Sequence, residues 1–228
     1  KRRVGMADES KEQMAEFLLA FIDFLYAVVF GLIVAEMFPQ LFMIETTTVW
    51  QKTGVLFLLV AAFYFLAWDW LHGRLLTLRN PYSRYFRFFL EILIAACAYG
   101  VAFAALRGSI YILQFLAIIL FLGSVWAKVT LVEHPHSQDK DELELIQRLQ
   151  PVFCIIAQGL FVIYYLTYGT EIDLSLSAII LVGGWFFVFS YEWELERKES
   201  GILAGPGVPF LRREYLEKAK HYLKQKGK

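Results

Sequence analysis

Charge is scarce in this chain: 19% of its 228 residues are charged, whereas 58% are hydrophobic and 17% aromatic. A soluble domain of this length needs far more polar surface, so that class is set aside at once. Cysteine is nearly missing as well. The two that occur, Cys97 and Cys154, sit inside apolar runs, which leaves neither a disulfide framework nor a thiolate metal site. Histidine occurs only four times. His134 and His136 lie beside Glu133 and Asp139 in a polar stretch, but no further ligands stand at motif spacing, so no metal or other cofactor is expected. Phosphate-cradling glycine loops, nucleophile elbows and haem-attachment motifs are missing too, and the chain does not read as an enzyme. With a formal charge of zero, it is not expected to bind nucleic acid.

What the sequence does have is long apolar runs. A span of about 20 residues crosses roughly 30 Å of hydrocarbon, and six runs qualify: Phe17–Phe38, Gly54–Leu71, Phe88–Leu106, Ser109–Ala127, Leu149–Tyr168 and Ile172–Tyr191. The expected fold is therefore an all-α, multi-pass integral membrane protein in contact with the lipid bilayer, in the cell membrane if the source is prokaryotic. The first run is too long for a signal-peptide core and carries Asp23, so it is read as a retained helix. Of the 22 basic residues, all but Lys52 and Arg107 fall before helix 1 or after helices 2, 4 and 6. By the positive-inside rule both termini are then cytoplasmic.

Three regions follow. Residues 1–16 form a cytoplasmic N-terminal segment, 17–191 the six-helix domain and 192–228 a cytoplasmic tail. Within the tail, Phe210–Lys228 has the spacing of a basic amphipathic helix, suited to anionic lipid or to a cytoplasmic partner. Helix 3 carries Ala96, Gly100, Ala104 and Gly108 at four-residue spacing, a stripe of small residues that lets helices approach closely. The segment around Glu142–Leu149 reads as a surface lead-in ended or kinked near Pro151. The six tryptophans mostly fall near helix ends, as interface anchors do.

Asp23 is the residue that demands a role, because an ionised group in hydrocarbon costs several kcal/mol and normally faces protein or a water path. Asp69, His72 and Glu91 are placed at a similar depth, which predicts one polar layer toward the cytoplasmic side. His72 is the leading candidate partner for Asp23, and Arg87 and Glu91, four apart, are expected to pair.

The stretch Phe21-Ile-Asp-Phe-Leu-Tyr-Ala-Val-Val-Phe-Gly-Leu-Ile-Val-Ala-Glu36 resembles helix 1 of the transmembrane protein 175 type family of lysosomal and prokaryotic potassium channels, whose motif is Phe-Ser-Asp, an apolar stretch and an outer acid. Trp68-Asp-Trp-Leu-His72 resembles the end of its helix 2, which carries Trp and a His pair. The match is confined to these two helices. The resemblance implies six spans, inner termini, a homo-oligomer (a tetramer in prokaryotic members) and a central pore lined by helix 1. Ala27, Val28, Gly31 and Val34 would line that pore, with the constriction at Val28, while Glu36 and Glu45 would form an acidic outer mouth. Asp23 would brace helix 1 against helix 2 through His72, beside Trp68. Ile22 replaces the motif Ser, and Gly31 stands where the family often has a selectivity-linked Thr. The expected function is thus a channel for monovalent cations with weak potassium selectivity. Two alternatives stand beside it: a non-conducting sensor or anchor recruiting a cytoplasmic partner, and a small proton- or cation-coupled transporter using Asp23.

Overall fold

The computed structural model describes the backbone of residues 2–42 and 49–200, with side chains over 14–35, 49–50 and 52–195. Glu45 and the segment Phe210–Lys228 lie outside the described residues, and Glu36 is described only as part of a helix backbone. Six helices follow in order: α1 (Arg2–Phe42), α2 (Val49–Arg79), α3 (Tyr85–Leu106), α4 (Tyr111–Glu133), α5 (Lys140–Tyr168) and α6 (Leu174–Ser200). Each contains a stretch long and apolar enough to cross a membrane, and no strand occurs among the described residues.

All six helices run past their predicted limits at one end or both, and in two of them the extension takes in a segment read separately from the sequence. Helix α1 continues back through residues 2–16, where Met, Ala, Glu, Lys and Gln favour helix. Helix α5 runs unbroken from Lys140 through Pro151, so the lead-in segment and the span are one element. The proline costs one backbone bond, which packing of the helix offsets.

The order of contacts sets the position of the polar groups. Helix α1 packs on α2 and α3, α3 on α4, α4 on α5, and α2 on α6. At one end the α3–α4 and α5–α6 turns are stitched together: Ile110 N–H donates to the Thr170 carbonyl at 3.0 Å and Ile172 N–H to the Gly108 carbonyl at 2.9 Å. Gly108 has φ +58°, a left-handed conformation that a side chain would strain. At the other end the α2–α3 and α4–α5 turns meet. Asn80 donates to Asp139 at 2.7 Å and Arg79 pairs with the same carboxylate. Tyr82, in that α2–α3 turn, is held protonated well above the usual phenol range, by burial first and then by the adjacent Glu91 carboxylate.

Small residues bring α3 into the centre. Ala98, Val101, Ala102 and Ala105 have no exposed surface, and a Cβ at Gly100 would lie 2.6 Å from the Phe115 ring of α4. Of the predicted stripe, Gly100 and Ala104 are buried while Ala96 faces outward. Between helices in lipid, contact of this kind and buried polar bonds supply the association that water would otherwise drive.

Candidate functional site

Toward the end that carries the α2–α3 and α4–α5 turns, five helices line a partly open cavity of about 60 Å³. Its wall includes the carboxylates of Asp23, Asp69 and Glu91, together with His72, Arg74 and Gln150. The expected layer of intramembrane ionisable groups is therefore gathered around one space. Its internal pairing is another matter.

Helix α2 supplies three successive residues that point to different neighbours, since adjacent helical positions are about 100° apart. Trp68 turns to α6, where its indole N–H donates to Glu192 Oε1 at 3.2 Å. Asp69 accepts a hydrogen bond from the Tyr26 hydroxyl of α1 at 2.9 Å. Trp70 donates to Asp23 Oδ1 at 3.1 Å, and Arg74, one turn on, places Nη2 3.0 Å from Asp23 Oδ2. Asp23 thus does brace α1 against α2, but through Trp70 and Arg74.

His72 takes other partners. Its Nε2 lies 2.7 Å from the Tyr191 hydroxyl of α6 and 3.3 Å from Glu142 of α5, and its ring stacks on Trp68 with centroids 5.1 Å apart. The direct Asp23–His72 bond expected from the sequence is replaced by two separate clusters. The rotation of α2 is the cause: it turns Trp70 and Arg74 toward α1 and His72 toward α6. Trp68 stays with His72, away from Asp23.

Glu91 is held by three donors on three elements: Trp126 Nε1 at 2.7 Å, Thr77 Oγ1 at 3.2 Å and the Tyr82 hydroxyl. Arg87 does not take Glu91 as its ion-pair partner. Its Nη1 lies 3.5 Å from Glu133 and its Nη2 donates to the Asn80 carbonyl, while the guanidinium sits 4.8 Å from the Tyr82 ring centroid. Helix α3 buries that residue completely against the α2–α3 turn.

Three tryptophans expected as interface anchors are in this way interior donors, each bonded to a different carboxylate. Indole offers an N–H and no acceptor, which suits it to holding an acid where water is scarce. Sequence reading also missed Tyr26, Arg74, Gln150 and Glu192. Of these Glu192 had been assigned to the charged tail, yet only 6% of it is exposed.

The pore candidates are elsewhere. Ala27, Val28, Gly31 and Val34 share the face of α1 opposite Ile22, Tyr26, Val29 and Ile33, which are the ones packed inward. Val28 is 48% exposed, Val34 44%, and nothing lies within 4 Å of a Cβ built on Gly31. Ala20 and Ala35 extend the same uncovered face, as do the bulky Phe17 and Phe24, 67% and 61% exposed. Among the described residues no group of three or more His, Cys, Asp or Glu side chains is arranged to hold a metal, and His134 instead contacts the Pro81 carbonyl at 2.9 Å. Compared with protein-family models, with curated proteins and with solved structures, the chain matches none.

Proposed function

We propose that this membrane protein conducts monovalent cations as a homo-oligomer, with α1 of each copy lining a central pore and both termini on the cytoplasmic side. The observation that carries the reading is the division of α1 into two faces. One face holds the helix in place, through Ile22, Tyr26, Val29, Ile33 and the Asp23 bonds to α2. The other, running through Phe17, Ala20, Phe24, Ala27, Val28, Gly31, Val34 and Ala35, is left uncovered by the rest of the described chain. From Ala27 to Ala35 that face carries nothing larger than valine, and small residues on an outward helix face permit close approach of a neighbouring backbone, while Phe17 and Phe24 make its other half bulky. A ring of such faces leaves a narrow apolar passage at Val28, of the kind that gates by dewetting. Resemblance of this helix and of Trp68–His72 to the transmembrane protein 175 type points the same way. With Gly31 offering no oxygen ligand, discrimination between potassium and sodium is weak.

Ion flux into liposomes carrying purified protein tests this. Val28→Asn hydrates the constriction and raises basal cation flux above wild type, with potassium and sodium passing at similar rates. If wild type and Val28→Asn are both silent under voltage and pH steps, conduction is wrong and the non-conducting membrane module takes its place.

A further inference from the structure

The cavity behind α1 contains polar atoms that the bundle leaves unmatched. Gln150, on α5, is 6% exposed, and its Oε1 has no hydrogen-bond partner. The amide is seated where it is by Gly123 of α4: a Cβ there would fall 2.5 Å from that oxygen. Across the lining, Arg74 Nη1 is likewise buried and unbonded, although Nη2 of the same guanidinium pairs with Asp23. A buried amide oxygen without a donor costs about 1–3 kcal/mol, and native interiors rarely tolerate one that nothing fills.

The space has room for an occupant. Each water requires on the order of 10–15 Å³ of such volume, so about 60 Å³ admits a few waters or a solute of a few heavy atoms. Formal charge selects among these. Asp23, Asp69 and Glu91 contribute three carboxylates against the one guanidinium of Arg74, and Arg87 is engaged by Glu133 and Asn80. Tyr26, Trp70 and Trp126 add aromatic rings, which attract cations over their faces. A bare divalent ion is unsuited, since no ligating group of three acids or histidines forms among the described residues. A cation that carries its own directional donors fits better, because separate N–H groups suit acceptors of different kinds on the wall, the free Gln150 oxygen and carboxylate lone pairs among them.

We infer that the cavity is a binding site for a small primary ammonium group, with Gln150 Oε1 and Asp69 as its acceptors. Two kinds of carrier present such a group. A simple alkylammonium leaves Arg74 Nη1 to water; a zwitterion of glycine size also gives Arg74 a carboxylate. The site lies behind α1 and is independent of whether α1 lines a pore.

The test is thermal unfolding and calorimetric titration of the full chain in nanodiscs with methylammonium chloride, glycine, and sodium chloride at matched ionic strength. Saturable binding and a rise in Tm with methylammonium, glycine or both, beyond that given by sodium, is the expected result. Binding of glycine in preference to methylammonium assigns Arg74 to the carboxylate; the reverse leaves it hydrated. Gln150→Leu removes an unmatched buried oxygen and should fold at least as well as wild type, yet weaken binding tenfold or more. Asp69→Asn keeps an acceptor for the Tyr26 hydroxyl while removing the charge and exchanging the second oxygen for an amide donor, and it too should weaken binding. Methylammonium and glycine acting no differently from sodium, which means that the cavity holds water only, would overturn the inference, as would wild-type affinity in both variants.

Discussion

Replacing Arg87 by Met removes a guanidinium that is fully buried but leaves an unbranched apolar stem of similar length in its place. The loss is therefore electrostatic more than steric. Glu133, whose side chain is 4% exposed and 3.5 Å from the lost Nη1, is left as a buried charge without its counter-ion. The Asn80 carbonyl loses a donor, and the rings of Tyr82 and Trp126, 4.8 and 5.7 Å from the guanidinium carbon, lose a cation. Breaking one side of a buried pair costs about 3–5 kcal/mol, and we expect Arg87→Met to fall in that range. Glu133→Leu should cost less, about 1–3 kcal/mol, because Arg87 keeps the Asn80 carbonyl and two aromatic faces. The double substitution leaves no orphaned charge. Replacing a whole buried pair by apolar groups is often neutral or stabilising, so the double variant should lie within about 1 kcal/mol of the milder single one, with strong non-additivity. Unfolding in mixed micelles with increasing denaturing detergent, followed by tryptophan fluorescence, measures all three. An Arg87→Met cost under about 1 kcal/mol, or simple additivity in the double variant, would show that Glu133 is solvated and refute the reasoning.

Two further expectations come from the same geometry. Asp23→Asn and His72→Leu should destabilise the bundle additively to within about 0.5 kcal/mol, because Asp23 bonds to Trp70 and Arg74 while His72 meets Tyr191 and Glu142; a coupling above about 1 kcal/mol in the same unfolding assay would reunite them. Asp173 caps α6 by accepting the Leu176 N–H at 2.8 Å, and hydrogen bonding from Tyr164, then from Leu176, holds its carboxyl below the ordinary range. A depressed carboxyl contributes stability that is full above its unfolded value, about 3.9, and is lost as pH falls through the lower folded value. Asp173→Ala should therefore cost about 0.5–1 kcal/mol near neutral pH, the low end applying to an exposed cap. That gap should narrow below about pH 4; a gap that stays constant down to pH 3 would mean the carboxylate charge plays no part.

The helices were readable because span length is a property of one dimension: six apolar runs of sufficient length give six helices whatever their partners. The turns at Arg107–Gly108 and Gly169–Asp173 were equally local, fixed by glycines at positive φ and an acid before α6. Pairing inside the layer is set by azimuth, which no single run encodes. Trp68, Asp69 and Trp70 occupy three directions, and which of them meets α1 depends on how α2 is rotated between α1, α3 and α6. One signal was nevertheless present. Asp23, Asp69 and Glu91 line one cavity to whose wall Arg74 contributes the one Lys or Arg side chain, and the neighbouring Arg87 is engaged by Glu133. The remaining carboxylate oxygens need neutral donors, and at that depth the chain offers few besides the indoles and Tyr26. Counting donors against these acids would thus have moved two tryptophans, Trp70 and Trp126, from the membrane interface to the interior. The same count leaves Gln150, an added acceptor in a layer already rich in them, with a buried oxygen that no hydrogen-bond donor meets.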